Sequence, residues 1–78
     1  MKLSRHAKNN MRLYGIKEMD IQETINSPDR EETQEGQKIA YKTFPKRFSG
    51  LPLKVIFVIE KEAVIITAYP LKKSYLLR

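Results

Sequence analysis

The chain has 78 residues, which is enough for one small domain with a thin hydrophobic core. It has no cysteine and a single histidine, so disulfides, thiolate metal ligands and a cysteine nucleophile are excluded, and neither a metal site nor a cofactor is expected. The formal net charge is +6, with basic segments at 1–17 and 36–54 on either side of an acidic segment at 18–35. The basic segments could meet on one face and attract a polyanion, or they could simply be solvated side chains.

The sequence contains no segment that would take the protein to or across a membrane. The first residues are charged and no apolar run follows them, so no signal peptide is predicted. The longest apolar stretch, 55–59, is far too short to span a bilayer. We therefore expect a soluble, cytoplasmic protein with no membrane partner.

A first helix is predicted over about 4–14. Ser4 suits the N-cap position and Gly15 suits the C-terminal stop. Apolar residues at helical spacing are expected to face the core, namely Ala7, Met11 and Tyr14. His6 lies in the first turn, where unpaired backbone amides and the helix dipole favour an anion such as phosphate.

A second helix is predicted over about 18–26. Lys17 is a poor N-cap, but Asp20 stands at the third helical position, where a carboxylate can accept a hydrogen bond from the cap backbone. Pro28 ends the helix. The acidic segment at 29–37 is expected to form a loop or one short edge strand.

Three strands are predicted over about 38–44, 51–60 and 63–69. In the first of them, "KIAYKTF", a period of two puts Ile39, Tyr41 and Thr43 on one face and the other four residues on the opposite face. The second strand is the most apolar and is expected to be central. An unpaired buried lysine is costly, so Lys54 is expected near the strand edge or on the sheet face that the helices leave free. Thr67 and Tyr69 share one face of the third strand.

The order of the elements predicts an α+β fold in a single domain, 1–78. Two N-terminal helices are expected on one face of a three- to four-stranded, mainly antiparallel sheet, because short turns join the strands. The tail at 70–78 could form a short strand, a short helix or part of an interface.

Several side chains could carry chemistry, and each also has an ordinary structural explanation. His6 could act as a general acid or base, although a lone exposed histidine is more often not catalytic. Thr67 and Tyr69 could bind phosphate from an open sheet face, or simply reflect β-propensity. Four tyrosines interleave with basic residues and could stack on bases or pack in the core: Tyr14, Tyr41, Tyr69 and Tyr75.

Three stretches of the sequence together resemble one protein family. The opening, "SRHAKNNMRLYGIKEMDIQETINSPD", contains a Ser-x-His-Ala segment, then Met, Gly-Ile, an acidic helix and Pro. The stretches "LKVIFVIE" and "VIITAYP" are similar to the Arg/Lys-Val strand and the Thr-x-Tyr-like strand with which the family ends. This pattern resembles domain-of-unknown-function family 4258 over nearly the whole chain.

The resemblance also implies a function, because this family is similar to the RelE and BrnT toxins and to colicin tRNase domains. It implies cleavage of RNA without a metal ion, at a catalytic site formed by His6, Lys54 and Thr67. His6 or Lys54 would help to remove a 2′-hydroxyl proton, and Lys54 with Arg12 would stabilise the phosphate, giving a 2′,3′-cyclic phosphate. The residues expected to contact RNA are Arg5, Arg12, Lys42, Arg47 and Tyr69.

The sequence departs from the family pattern in its first helix. Arginines that are usual there fall in the register of Asn10 and Tyr14, and Arg12 is about two residues off. The acidic segment at 18–35 would repel RNA unless it faces away. A non-catalytic module that binds RNA or an acidic protein therefore stays open. So do an antitoxin-like partner and a homodimer formed through an exposed edge strand such as 38–44.

Overall fold

The computed structural model describes residues 1–72 and shows two helices packed on one face of a five-stranded sheet. In chain order the elements are β1 (Lys2–Leu3), α1 (Arg5–Tyr14), α2 (Glu18–Asn26), β2 (Arg30–Gln34), β3 (Gln37–Thr43), β4 (Pro52–Ile59) and β5 (Ala63–Pro70). The strands lie in the order β1-β5-β4-β3-β2; β1 is parallel to β5, and the other pairs are antiparallel. The predicted α+β class is confirmed, with five strands instead of three or four.

The segment at 29–37 forms a strand and a tight hairpin. Glu35 and Gly36 connect β2 to β3, and both have positive φ values, 51° and 79°. Positive φ at both central positions is the requirement of the two-residue turn that suits a β-hairpin. β2 therefore folds back on β3 and forms the edge of the sheet. The prediction that 38–44 is an exposed edge strand is wrong, because β3 is paired on both sides.

Helix α1 has a cap at each end. The Ser4 hydroxyl accepts a hydrogen bond from the Ala7 N–H at 3.0 Å and donates one to the Ile66 carbonyl at 2.7 Å. Gly15 ends the helix with a left-handed φ of 66°. Tyr14 is 43% exposed, so its predicted place in the core is wrong. Ile16, which follows the turn at Gly15, is buried among the core residues instead.

Helix α2 starts at a backbone cap supplied by Asp20, as the sequence predicts. One Asp20 carboxylate oxygen accepts a hydrogen bond from the Lys17 N–H at 2.8 Å, and the other accepts one from the Arg47 guanidinium. Arg47 also donates to the Gly15 carbonyl at 2.8 Å and lies over the Phe48 ring. Arg47 therefore fixes the loop before β4 to the junction of the two helices.

The hydrophobic core lies between the helices and one sheet face. Leu53, Val55 and Phe57 alternate along β4 and are buried on the helix side. The remaining core residues are Ala7, Ile16, Ile21, Ala40, Phe44, Ile65 and Ala68. Within residues 1–72 no helix is long and apolar enough to cross a membrane. Residues 73–78 lie outside the described residues, and so do Tyr75 and most of the tail for which structure was predicted.

Candidate functional site

The sheet has a second face, turned away from α1 and α2, which we call the distal face. Lys54 stands between Leu53 and Val55, which both point into the core, so its side chain points to the distal face. This is one of the two placements that the sequence predicts for Lys54, the other being the strand edge. Tyr41, opposite Lys54 on β3, and Tyr69, opposite it on β5, share that face.

Four side chains form a row straight across the distal face, which we call the cross-strand row. Arg30 on β2 is opposite Tyr41, and Tyr41 is opposite Lys54. Lys54 is in turn opposite Tyr69 on β5. Cations and aromatic rings alternate along the row. The Arg30 Cζ lies 4.2 Å from the centroid of the Tyr41 ring, and the Lys54 Nζ lies 5.9 Å from that centroid and 5.6 Å from that of Tyr69.

Tyr41 is the most buried member of the cross-strand row. It is 9% exposed, and its hydroxyl donates a hydrogen bond to the Glu32 carboxylate at 3.0 Å. The Arg30 guanidinium lies over its ring. The Tyr41 ring therefore lies beneath the Arg30 and Lys54 side chains and is largely removed from solvent.

Lys54 carries a charge that no carboxylate among the described residues neutralises. Its side chain is half-buried, and it forms no ion pair with any residue in 1–72. The negative faces of two tyrosine rings attract the ammonium, but a ring quadrupole does not cancel a full charge. The Lys54 ammonium can therefore bind an anion without first breaking an ion pair.

Thr67 lies beside the cross-strand row, one step along β5. It is opposite Ile56 on β4, and it is 9% exposed. Its hydroxyl accepts a hydrogen bond from the Asn10 side-chain amide at 3.2 Å. The sheet register shifts next to this position, which leaves Ile66 as an extra residue on β5, and the Ile66 carbonyl accepts the Ser4 hydroxyl. The irregular point of β5 is thus where α1 is anchored.

His6 lies on the flank of α1 that approaches Thr67. It is exposed in the first turn, and Asn10 follows it by four residues, so the two side chains are neighbours on the helix surface. Because Asn10 contacts Thr67, His6 is on the side of the helix nearest that part of β5. Within residues 1–72, however, His6 has no hydrogen bond to Thr67 or Lys54.

The predicted RNA-contacting residues fall into separate places. Tyr69 belongs to the cross-strand row. Arg5 and Arg12 are exposed on α1, about a quarter turn or more around the helix from His6. Lys42 is on the helix side of β3, where its Nζ donates to the Ser27 carbonyl at 2.9 Å and lies 3.9 Å from the Asp29 carboxylate. Arg47 is bound to Asp20.

Sequence reasoning did not identify two parts of this site. Arg30 stands in the segment at 29–37, which was expected to form a loop or one short edge strand, and only the hairpin places it opposite Tyr41. Asn10 carries the contact between α1 and Thr67, although the residues are far apart in sequence. Among residues 1–72, no three His, Cys, Asp or Glu side chains are grouped so that they could hold a metal ion.

A comparison with known protein families places this α+β domain. The model of the family described as Domain of unknown function (DUF4258) matches residues 3–70, which begin at the second residue of β1 and include all of the elements from α1 to β5. The chain therefore belongs to this family, as its sequence motifs predict. Searches of curated proteins and of solved structures found no match.

Proposed function

We propose that this protein is RNA-directed and binds single-stranded RNA on its distal face, with a phosphate at Lys54. The observation that carries the proposal is the state of Lys54, a half-buried cation beside two tyrosine rings and without an ion pair to any residue in 1–72. Such a cation favours an anion over a neutral ligand. The net charge of +6 favours a polyanion over a single small anion.

The aromatic residue at the end of the row favours nucleic acid among polyanions. Tyr69 is half-buried on the distal face, and its ring lies 5.6 Å from the Lys54 ammonium. Proteins that bind single-stranded nucleic acid combine cations for the backbone with aromatic rings for the bases. A base can stack on Tyr69 only if it has left its own stack, so the proposal specifies a single strand.

Cleavage of the bound RNA is a second candidate function, and it is suggested by the bond between Asn10 and Thr67. This bond brings the helix flank that bears His6 to β5, next to the cross-strand row. In the proposed reaction His6 accepts the proton of a 2′-hydroxyl, whose oxygen attacks the adjacent phosphorus while Lys54 stabilises the added negative charge. The bond to the 5′-oxygen breaks, that oxygen takes up a proton, and a 2′,3′-cyclic phosphate remains.

If the protein cleaves RNA, the proposal extends to a RelE-like toxin that has an antitoxin-like protein as its partner. Both belong to what the family resemblance implies, so they depend on cleavage being observed. The binding proposal does not depend on them.

Binding is tested by fluorescence anisotropy with a labelled single-stranded RNA and the matching duplex. We expect Lys54→Met to weaken single-strand binding about tenfold and to lower the slope of log affinity against log salt by about 0.7, the value for one phosphate contact. The matched control is Lys38→Met, which removes an exposed charge from the helix side of β3 and should leave the slope and affinity nearly unchanged. Equal losses in the two variants, or no binding at low salt, would contradict the proposal.

Cleavage is tested by incubating the protein with total cellular RNA in EDTA, beside His6→Ala and Lys54→Ala. We expect cleavage by the unmodified protein and loss of cleavage in both variants. If RNA binds with the expected salt dependence but stays intact, the binding function stands and the cleavage candidate fails. Full activity in both variants would remove His6 and Lys54 from the site.

A further inference from the structure

The two tyrosines of the cross-strand row differ in what a ligand can reach. Tyr41 is 9% exposed, with the Arg30 guanidinium 4.2 Å from the centroid of its ring. Tyr69 is half-buried and stands at the end of the row, with Lys54 as its neighbour on β4. A base can therefore stack on Tyr69, whereas Tyr41 is already occupied by side chains of the protein itself.

The Tyr41 side chain is also fixed at both of its ends. Its hydroxyl donates to the Glu32 carboxylate at 3.0 Å, and its strand is paired on both sides. A ring fixed at both ends presents its electron-rich face in one place. The Lys54 ammonium lies 5.9 Å from the centroid of that ring, within the range of a cation–π interaction.

We propose that Tyr41 is a positioning residue that acts through Lys54, and that Tyr69 alone stacks on a base, so that the distal face receives one unstacked nucleotide. This inference rests on the proposed binding of RNA. The base lies on Tyr69, its phosphate lies at Lys54, and the fixed Tyr41 ring limits where the ammonium can go. The Lys54 Nζ is 5.6 Å from the centroid of the Tyr69 ring, a separation that the sugar of one nucleotide can bridge.

A double-mutant cycle on RNA binding tests the role of Tyr41. We expect Tyr41→Leu to weaken binding about three- to tenfold in the unmodified background, which is the range of a partly desolvated cation–π interaction. In the Lys54→Met background the same change should have almost no effect, because the residue through which it acts is gone. A loss of equal size in both backgrounds would overturn the proposal, since Tyr41 would then contact the RNA directly.

Tyr69→Leu gives the contrasting result that the proposal requires. It should weaken binding about fivefold or more, as the loss of one stacked base does, and leave the salt dependence unchanged. Because the Tyr69 ring also contacts Lys54, part of this loss should depend on Lys54, but most of it should persist in the Lys54→Met background. A fall in the salt dependence, or no loss of affinity, would overturn the assignment of the base to Tyr69. Tyr41→Phe keeps the ring and loses only the bond to Glu32, so it provides a variant of Tyr41 that disturbs the strand least.

A measurement on the free protein separates this inference from the proposed function. The rings of Tyr41 and Tyr69 should shift the Lys54 ε-methylene resonances upfield in the NMR spectrum. We expect Tyr41→Leu to move these resonances toward the random-coil position and Tyr41→Phe to move them much less. If the resonances do not respond to Tyr41→Leu, Tyr41 does not position Lys54. If they respond but no RNA binds, the positioning holds and the proposed ligand is wrong.

Discussion

Arg47 and Lys54 are cations close together in sequence, but they lie on opposite sides of the sheet and in opposite electrostatic situations. The Arg47 guanidinium binds the Asp20 carboxylate, donates to the Gly15 carbonyl and lies over the Phe48 ring. Lys54 lies near two rings and has no ion pair among residues 1–72. The comparison separates a cation whose charge the fold compensates from one whose charge it leaves available to a ligand.

The energetic reason lies in what each cation would lose on binding an anion. Arg47 would have to leave Asp20, which is 4% exposed, and an unpaired buried carboxylate costs several kcal/mol. Lys54 would lose only part of its hydration, which an anion replaces with a charge-assisted hydrogen bond. Arg47 therefore has a structural role, whereas the charge of Lys54 stays available for the proposed ligand. The sequence analysis had made Arg47 a candidate RNA contact and Lys54 a candidate catalytic residue.

The largest effect that we predict is the loss of stability when Arg47 is replaced, and its absence would contradict the comparison. We expect Arg47→Met to lower the free energy of unfolding by about 2–3 kcal/mol, because Asp20 and the Gly15 carbonyl both lose a partner. The estimate is below the usual cost of breaking a buried pair because the Arg47 side chain is 35% exposed. Urea denaturation measures the change.

Lys54→Met is the control in the same denaturation experiment. We expect it to change the free energy of unfolding by less than about 0.5 kcal/mol, which is typical of surface substitutions, while it weakens RNA binding. Equal destabilisation by the two substitutions would show that Lys54 is also a structural cation, and the comparison would fail.

A smaller effect concerns Glu32, a carboxylate that adjoins the cross-strand row. Glu32 accepts the Tyr41 hydroxyl and brings a negative charge near the proposed phosphate position. We expect Glu32→Gln to keep a hydrogen-bond acceptor for Tyr41, leave stability nearly unchanged, and tighten RNA binding about two- to threefold at low salt. The gain should disappear at high salt. A weaker affinity would mean that the charge of Glu32 is needed to fix Tyr41.

The parts of the fold that the sequence predicts are those governed by local patterns. Ser4 and Gly15 mark the ends of α1, and the period of two in "KIAYKTF" predicts which side chains of β3 share a face, although not which face the helices cover. β2 was not clear, because all five of its residues are exposed and show no apolar alternation. Its turn places Glu35 at positive φ, where asparagine or aspartate is the usual indication of a hairpin. β1 has two residues and pairs with a strand far along the chain, so no local pattern exists for it.

The site was predictable only up to the strand register. Because successive side chains of a strand point to opposite faces, the sequence predicts that Lys54 shares a face with every second residue of β4. It predicts in the same way that Thr67 and Tyr69 share a face of β5. Which residue of β2 stands opposite Tyr41, and which residue of α1 reaches Thr67, depends on long-range packing. The same limit explains Lys42 and Arg47, because the acidic segment that partners them is distant in sequence.

The smallest expected effect concerns a third cation, the Met1 ammonium, whose partner is exposed. It forms a salt bridge of 2.6 Å with Glu62, and the hydrogen bond from this ammonium, followed by its charge, lowers the pKa of the Glu62 carboxyl. A carboxyl whose pKa is lowered by folding stabilises the fold above its ordinary pKa, and this contribution is lost as the pH falls through the lowered value. Solvent and salt screen the pair, so its contribution should lie well below that of Arg47 and Asp20.

We expect Glu62→Gln to reduce stability slightly at pH 7 and low salt, and the difference from the unmodified protein to vanish as the carboxyl is protonated in acid. The measurement is urea denaturation across this pH range, with Glu60→Gln as the matched control. A difference that persists in acid would mean that Glu62 acts by packing and not by charge, and the comparison of Arg47 with the Met1 ammonium by the burial of their carboxylate partners would no longer hold.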